Sequence, residues 1–153
     1  MGLKNMKRGE DTEQILVMEW AAREECNYPE LKWLHHIPNG GARKSSEAVR
    51  LKRMGVKRGI SDIHLPFAHG RYHGLYIEMK YGRNVTTQEQ REFLCDMKDA
   101  GNCVAVCHDA QSAIALIEQY VTLPTRGILK LSSNLDSRNV YWDDDHICHI
   151  RSV

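Results

Sequence analysis

Short strand-like runs alternate with helix-like stretches between residues 11 and 121, and this alternation limits the fold more than any other feature of the sequence. Apolar or β-branched runs bounded by turn signals predict strands at residues 32–37, 61–66, 75–80 and 102–108. Helical spacing and start signals predict helices from about residue 11, at 45–54, from Thr87 to Gly101 and at 110–121. The order α-β-α-β-β-α-β-α predicts an α/β (α+β) three-layer sandwich with a central mixed sheet of about four strands.

The last thirty residues follow no clear helix or strand period. We therefore predict a main domain over residues 1–123 and an extension over residues 124–153, with the boundary near Leu123 and Pro124. Three interpretations of the extension stay open: a tail, an extra hairpin or a dimerisation element. Its DDDHICH segment, Asp143 to His149, has residue types that bind metals but no known ligand spacing, so an acidic tail is the interpretation of that segment.

Three charged residues lie in two neighbouring strand-like runs: Asp62 in the first, and Glu78 and Lys80 at the end of the second. Strand alternation puts Glu78 and Lys80 on one face. Mg²⁺ takes oxygen ligands and usually keeps several waters beside one or two carboxylates, so Asp62, Glu78 and the Met79 backbone carbonyl are candidate ligands. Lys80 is placed to orient the attacking water and to stabilise charge on a phosphate. The alternative is an exposed strand face on which Glu78 and Lys80 neutralise each other.

A basic segment begins just after the turn that contains Asn39 and Gly40. The chain's net charge is only +1, yet a third of its 21 Lys and Arg lie in this segment with a single acid, Glu47. Such a concentration of positive charge suits a DNA phosphate backbone, and the turn allows a phosphate to approach closely. A solvated helix face is the alternative. The basic residues are Arg43, Lys44, Arg50, Lys52, Arg53, Lys57 and Arg58.

The motifs G-x-x-x-G-x-x-D, E-x-K and T-x-x-Q follow one another, and together they are far more specific than any one alone. With HIPNGG before them and AGNCVAVC after them, they resemble the VRR-NUC (virus-type replication-repair nuclease) family of the PD-(D/E)xK nuclease superfamily. The resemblance spans about residues 12–121 and implies a restriction-endonuclease-like fold. In one departure, Ser61 precedes Asp62 where the family has a proline; a proline there shapes the backbone and supplies no ligand.

The resemblance also implies roles for individual residues. The two strand carboxylates correspond to the metal-binding acids, and Lys80 corresponds to the catalytic lysine. Gln90 corresponds to the helix glutamine that follows the E-x-K motif, although it is also the last residue of a capping box that begins at Thr87. Glu13 corresponds to the acidic residue of the first helix, with Glu19 as a competitor.

The activity implied by the resemblance is a Mg²⁺-dependent endonuclease, with Mn²⁺ as a substitute, that hydrolyses DNA by in-line attack of a metal-bound water. By analogy with stand-alone members that resolve junctions as homodimers, we expect a homodimer acting on branched DNA, such as a four-way (Holliday) junction or a flap, in replication, repair or recombination. A phage origin would suit the family. The alternatives are a nicking or restriction-like nuclease on linear or single-stranded DNA, and a non-catalytic DNA-binding module of the same fold.

The composition indicates where such a protein works. No run of about 18 or more apolar residues is present, so we expect no membrane partner. The five cysteines are odd in number and include no C-x-x-C pair, which favours reduced thiols in the cytoplasm.

Overall fold

The computed structural model describes residues 7–39, 44–130 and 140–152, and a mixed sheet of six strands lies at its centre. The helices are α1 Glu10–Glu24, α2 Ser45–Arg53, α3 Gln88–Asp99 and α4 Ala110–Val121, with a short 3₁₀ helix at Pro29–Trp33. The strands are β1 His35–His36, β2 Ile63–Leu65, β3 Leu75–Met79, β4 Cys103–Cys107, β5 Val140–Trp142 and β6 Cys148–Ile150. Among the described residues no helix is long and apolar enough to cross a membrane.

The spatial order of the strands is β1-β2-β3-β4-β6-β5. Strand β2 runs antiparallel to β1 and β3, whereas β4 runs parallel to both β3 and β6, and β5 is antiparallel to β6. The predicted fold class and element order up to residue 121 are confirmed. The predicted number of strands is wrong, because residues 140–150 add β5 and β6. The DDDHICH segment is accordingly the turn and second strand of a hairpin, and not an acidic tail.

Helices cover both faces of the sheet and make the three layers. Helices α1 and α4 pack on one face, over a core that includes Val17, Ile77 and Leu116. Helix α3 packs on the other face, where Leu94 and Val106 belong to a smaller cluster. Strand β3 therefore has apolar neighbours on both sides, and the burial of its polar residues follows from this position.

Helix α2 stands apart from these layers. None of its residues is buried, and only Leu51 is even half-buried. The chain leaves α2 through Gly55, with φ +99°, and Gly59, with φ +80°, which explains the G-x-x-x-G part of the motif. A Cβ atom on Gly59 would lie 2.6 Å from the Glu89 carbonyl oxygen, so this glycine lets the loop before β2 approach the start of α3.

Candidate active site

Asp62 lies just before β2 and is fixed through both its side chain and its backbone. Its Oδ2 accepts a hydrogen bond from the Met79 backbone N–H at 2.8 Å. Its carbonyl oxygen accepts from His36 Nδ1 and from the Ile37 backbone N–H, each at 2.8 Å. The strand pairing of β1, β2 and β3 thus brings Asp62 beside the end of β3, as the sequence predicts.

Glu78 is the centre of the site's polar contacts and is almost fully buried, with 1% of its surface exposed. Its Oε1 accepts from Lys80 Nζ at 2.6 Å and from Gln90 Nε2 at 2.6 Å. Its Oε2 is also buried but has no hydrogen-bond partner among the described residues. One carboxylate oxygen is therefore held by two donors, while no donor of the described chain reaches the other.

The burial of this group changes its protonation. Desolvation first, and then the nearby charge of Asp62, raise the pKa of Glu78 to about 8, although Lys80 acts in the opposite direction. Burial also raises the pKa of Asp62, against the lowering effects of the Met79 hydrogen bond and of Lys80. Both shifts show that the site disfavours a pair of carboxylate charges unless a cation is present to offset them.

Gln90 makes two sets of contacts, one within the capping box and one with Glu78. Its side-chain Oε1 accepts from the Thr87 backbone N–H at 2.9 Å, and its own backbone N–H donates to Thr87 Oγ1 at 3.3 Å, which completes the capping box of α3. The amide's other end, Nε2, reaches Glu78.

A cavity of about 720 Å³ contains this cluster and opens toward α1, the turn after β1 and the start of α3. Glu10 of α1 lines it, and Asn84 Nδ2 donates to Glu10 Oε1 at 2.8 Å. Glu13 does not line it. Its buried carboxylate instead accepts from the Ala110 backbone N–H at 2.8 Å and pairs with Arg8 at 2.7 Å. Glu19 is exposed elsewhere on α1.

The predicted DNA-binding residues divide into three groups. Asn39 and Arg58 line the cavity, and Asn39 is held by a hydrogen bond from its Nδ2 to the Ile60 carbonyl. A second group lies on and around α2, is exposed, and forms no ion pair within the described chain. Its members are Lys44, Arg50, Lys52, Arg53 and Lys57. Gly40 and Arg43 lie outside the described residues.

The donor set fits a hard divalent cation. Asp62 and Glu78 provide two carboxylates, and the Oε2 of Glu78 is a buried oxygen to which the described residues supply no donor. Met79 lines the same cavity, while its side chain belongs to the core. In the described part of the chain no three His, Cys, Asp or Glu side chains converge closely enough to hold an ion by themselves. Two carboxylates completed by backbone and water oxygens are typical of Mg²⁺.

The sequence did not predict that Glu10 lines the cavity. The available signal was the i, i+4 spacing of Glu10 and Gln14, which places both residues on one helix face; both line the cavity. The predicted helix began one residue later, at Asp11, so Glu10 was left outside it.

Comparisons with known proteins agree with this geometry. The sequence matches the VRR-NUC domain model over residues 8–111. A solved structure named "VRR_NUC domain protein" is 34% identical, with a TM-score of 0.66, and the match covers 78% of this chain and 93% of that one. A comparison with curated proteins gives no match.

Proposed function

Because the chain belongs to the VRR-NUC family of PD-(D/E)xK-type nucleases, we propose that it is a divalent-metal-dependent endonuclease that acts on branched DNA. The observation that carries the metal dependence is Glu78: a buried carboxylate with a raised pKa, one oxygen without a partner among the described residues, and a second carboxylate beside it. Such a group is costly in a folded protein unless a cation completes it.

Asp62, Glu78 and the Met79 carbonyl would hold Mg²⁺, or Mn²⁺ in its place. The bound ion would supply Lewis acidity and lower the pKa of water, which provides a nucleophile at neutral pH. The Met79 N–H orients Asp62 by its hydrogen bond, and Lys80 and Gln90 fix Glu78 through Oε1. Both ligand carboxylates are therefore pre-organised before any substrate arrives.

Lys80 is the second element of the proposed chemistry. Its ammonium group is buried, lines the cavity and lies 2.6 Å from Glu78. Its positive charge would therefore lie beside a phosphate bound in the cavity. There it would stabilise the negative charge that develops on the phosphoryl oxygens, and it would orient the attacking water. We assign the acid of the first helix to Glu10, which lines the cavity, while Glu13 supports the start of α4.

The proposed DNA surface consists of the cavity rim at Asn39 and Arg58 together with the basic face of α2. These side chains are exposed or at the rim, and no residue of α2 is buried, so its positive charges are open to solvent. Such contacts follow the shape of the phosphate backbone and do not read bases. A homodimer would supply two sites for symmetrical cutting of two strands, which is the requirement of a four-way junction.

The test is a panel of labelled four-way junction, flap, linear duplex and single-stranded substrates, incubated with Mg²⁺ or Mn²⁺. We expect the junction or flap to be cut fastest, and Lys80→Ala to abolish cleavage while DNA binding persists. Equal cutting of linear duplex would refute the branched preference and favour a restriction-like or nicking enzyme. Binding without cleavage of any substrate by the wild type would identify a non-catalytic module.

A further inference from the structure

Aromatic rings from three neighbouring strands lie side by side next to the active site. His35 of β1, His64 of β2 and Tyr76 of β3 are opposite one another in the strand pairing. The rings of His64 and Tyr76 are stacked with their centroids 4.2 Å apart, and the rings of His35 and His64 make a T-shaped contact at 5.1 Å. Strand β1 forms one edge of the sheet, and His35 is exposed there. The row of rings therefore ends in a solvent-exposed imidazole that is packed against two other rings.

This row lies one step along the strands from the proposed metal ligands. On β2, His64 lies two residues after Asp62, and on β3, Tyr76 lies two residues before Glu78. Strand alternation puts side chains two residues apart on the same face of the sheet. A strand rises by about 3.2–3.4 Å per residue, so the row lies about 6.4–6.8 Å along the strands from the two carboxylates. A nucleotide next to the cleaved phosphate would therefore reach the row.

Two more exposed side chains continue from His35 away from the cavity. Trp33 is 57% exposed, and its carbonyl oxygen lies 2.9 Å from His35 Nδ1. Lys32 is exposed as well, and its ammonium nitrogen lies 5.5 Å from the centroid of the Trp33 ring. On the other side of His35, the exposed His36 lines the active-site cavity. These four residues, Lys32, Trp33, His35 and His36, form a continuous exposed surface that we call the β1-edge strip.

We propose that the β1-edge strip binds a single-stranded segment of the DNA substrate. Bases stack on Trp33 and His35, and the exposed ammonium group of Lys32 moves from the indole ring to a neighbouring phosphate. Aromatic rings beside positive charge are the general means by which proteins bind single strands without reading their sequence. The inference rests on the proposed function and deepens it, because it names the substrate as a branch with an unpaired strand, such as a flap.

The strip suits DNA better than a second copy of the chain. Strand β1 has only two residues, which is too short to hold another strand by backbone pairing. Between residues 29 and 39 the one acid is Glu30, whose side chain is 17% exposed and lies 2.8 Å from His69. The exposed charge of this segment is therefore positive. Through His36 the strip is also continuous with the cavity in which the proposed cleavage takes place.

The first experiment identifies the contact by fluorescence, using the full chain in a chelator so that no DNA is cut. Oligothymidylate is the probe of single-stranded DNA. The chain has three tryptophans: Trp33, Trp20, which packs against the core, and Trp142, which is 61% exposed on β5 at the opposite edge of the sheet. We expect oligothymidylate to quench the fluorescence of the wild type and of Trp142→Phe equally, and Trp33→Phe to lose this quenching.

The second experiment measures affinity for oligothymidylate and for a blunt duplex. Trp33→Ala should weaken oligothymidylate binding by about fivefold to 150-fold, which corresponds to the loss of one stacked base, and should leave duplex binding unchanged. His35→Ala should weaken oligothymidylate binding in the same direction. Trp142→Ala removes an equally exposed indole from the other edge of the sheet and is the matched control, which should alter neither affinity. In cleavage of a flap with Mg²⁺, Trp33→Ala should raise KM and leave kcat unchanged.

Equal affinities of Trp33→Ala and Trp142→Ala for oligothymidylate would overturn the proposal. Equal weakening of single-stranded and duplex binding by Trp33→Ala would overturn it too, as would a change from dimer to monomer in sedimentation, which would show that a second copy covers the strip. Trp33 is exposed, so its removal is not expected to prevent folding, and circular dichroism checks this.

Because binding is measured without metal, the result is separate from the test of nuclease activity. A wild type that binds oligothymidylate through Trp33 but cuts no DNA would refute the proposed nuclease and support the strip. A wild type that cuts branched DNA with the same KM as Trp33→Ala would refute the strip alone.

Discussion

Replacing Glu78 with Gln should make the metal-free protein more stable at alkaline pH while it abolishes cleavage. The folded-state pKa of Glu78, about 8, lies above its ordinary value of 4.5. For a carboxyl shifted in this direction, the contribution to stability is fully present below pH 4.5 and is lost as the pH rises to about 8. Ionised Glu78 therefore opposes folding wherever no cation accompanies it.

The size of the effect follows from the shift. A pKa difference of one corresponds to 1.36 kcal/mol, so the change from 4.5 to about 8 corresponds to a loss of as much as about 5 kcal/mol above pH 8. At pH 7 the carboxyl is mostly protonated in the folded chain, and the loss is about 3 kcal/mol. Glu78 is 1% exposed, so solvent screening removes little of this. A glutamine interacts with Lys80 more weakly than a carboxylate does, which shifts the variant's free energy of unfolding by a constant amount. The informative quantity is therefore how the difference in this free energy varies with pH.

The assay is urea unfolding of the wild type and of Glu78→Gln between pH 5 and pH 8.5, in the presence of a chelator. The difference in the free energy of unfolding should move in favour of the variant by about 1.4 kcal/mol for each pH unit and level off near pH 8. Glu89→Gln, at an exposed residue of the same cavity, should show no such trend. Mg²⁺ should restore the wild type's stability and leave that of Glu78→Gln unchanged. A difference that does not vary with pH would refute the raised pKa.

Four further variants test three other parts of the structure. The double variant Lys52→Ala, Arg53→Ala should weaken DNA binding. The slope of the logarithm of the binding constant against the logarithm of the salt concentration should become shallower by about 0.9 for each phosphate that the protein no longer neutralises. An unchanged slope would show that α2 does not touch DNA. Glu10→Gln should slow cleavage by about 10–100-fold and leave the free energy of unfolding unchanged. Glu13→Gln should instead lower the free energy of unfolding by about 1–3 kcal/mol. If Glu13→Gln slows cleavage and Glu10→Gln lowers stability, the catalytic role belongs to Glu13. Ser61→Ala removes a buried hydroxyl that lacks a partner among the described residues, and should raise the unfolding free energy by about 1–3 kcal/mol; a decrease in stability would reveal a partner for it.

Elements with local signals could be predicted from the sequence. The capping box fixes the start of α3 because its two hydrogen bonds join residues three apart. The alternation in Leu75–Met79 predicts which side chains of β3 share a face, because this pattern also depends only on residues that are close in the sequence. Asp62, Glu78 and Lys80 could be grouped because two adjacent strands joined by a short connection must pair in one of few ways.

Features that depend on distant contacts could not be predicted. Strands β5 and β6 have three residues each, too few for a period to show, and β6 is held by β4, about forty residues earlier. The choice between Glu10 and Glu13 depends on how α1 rotates against α4. The two acids lie three apart, close together on the helix surface, yet one faces the cavity and the other meets the Ala110 N–H.

The side-chain amide of Gln90 takes part in both the capping box of α3 and the contacts of Glu78. A capping box accepts Glu or Gln at its last position, since either side chain can receive the backbone N–H. Here the Oε1 of Gln90 receives the Thr87 N–H, which forces Nε2 toward Glu78 Oε1. A glutamate would cap the helix equally well but would place a second negative charge against a carboxylate whose pKa burial already raises. The amide is therefore required by the site and not by the helix, and the orientation of Glu78 depends on the first turn of α3 being formed.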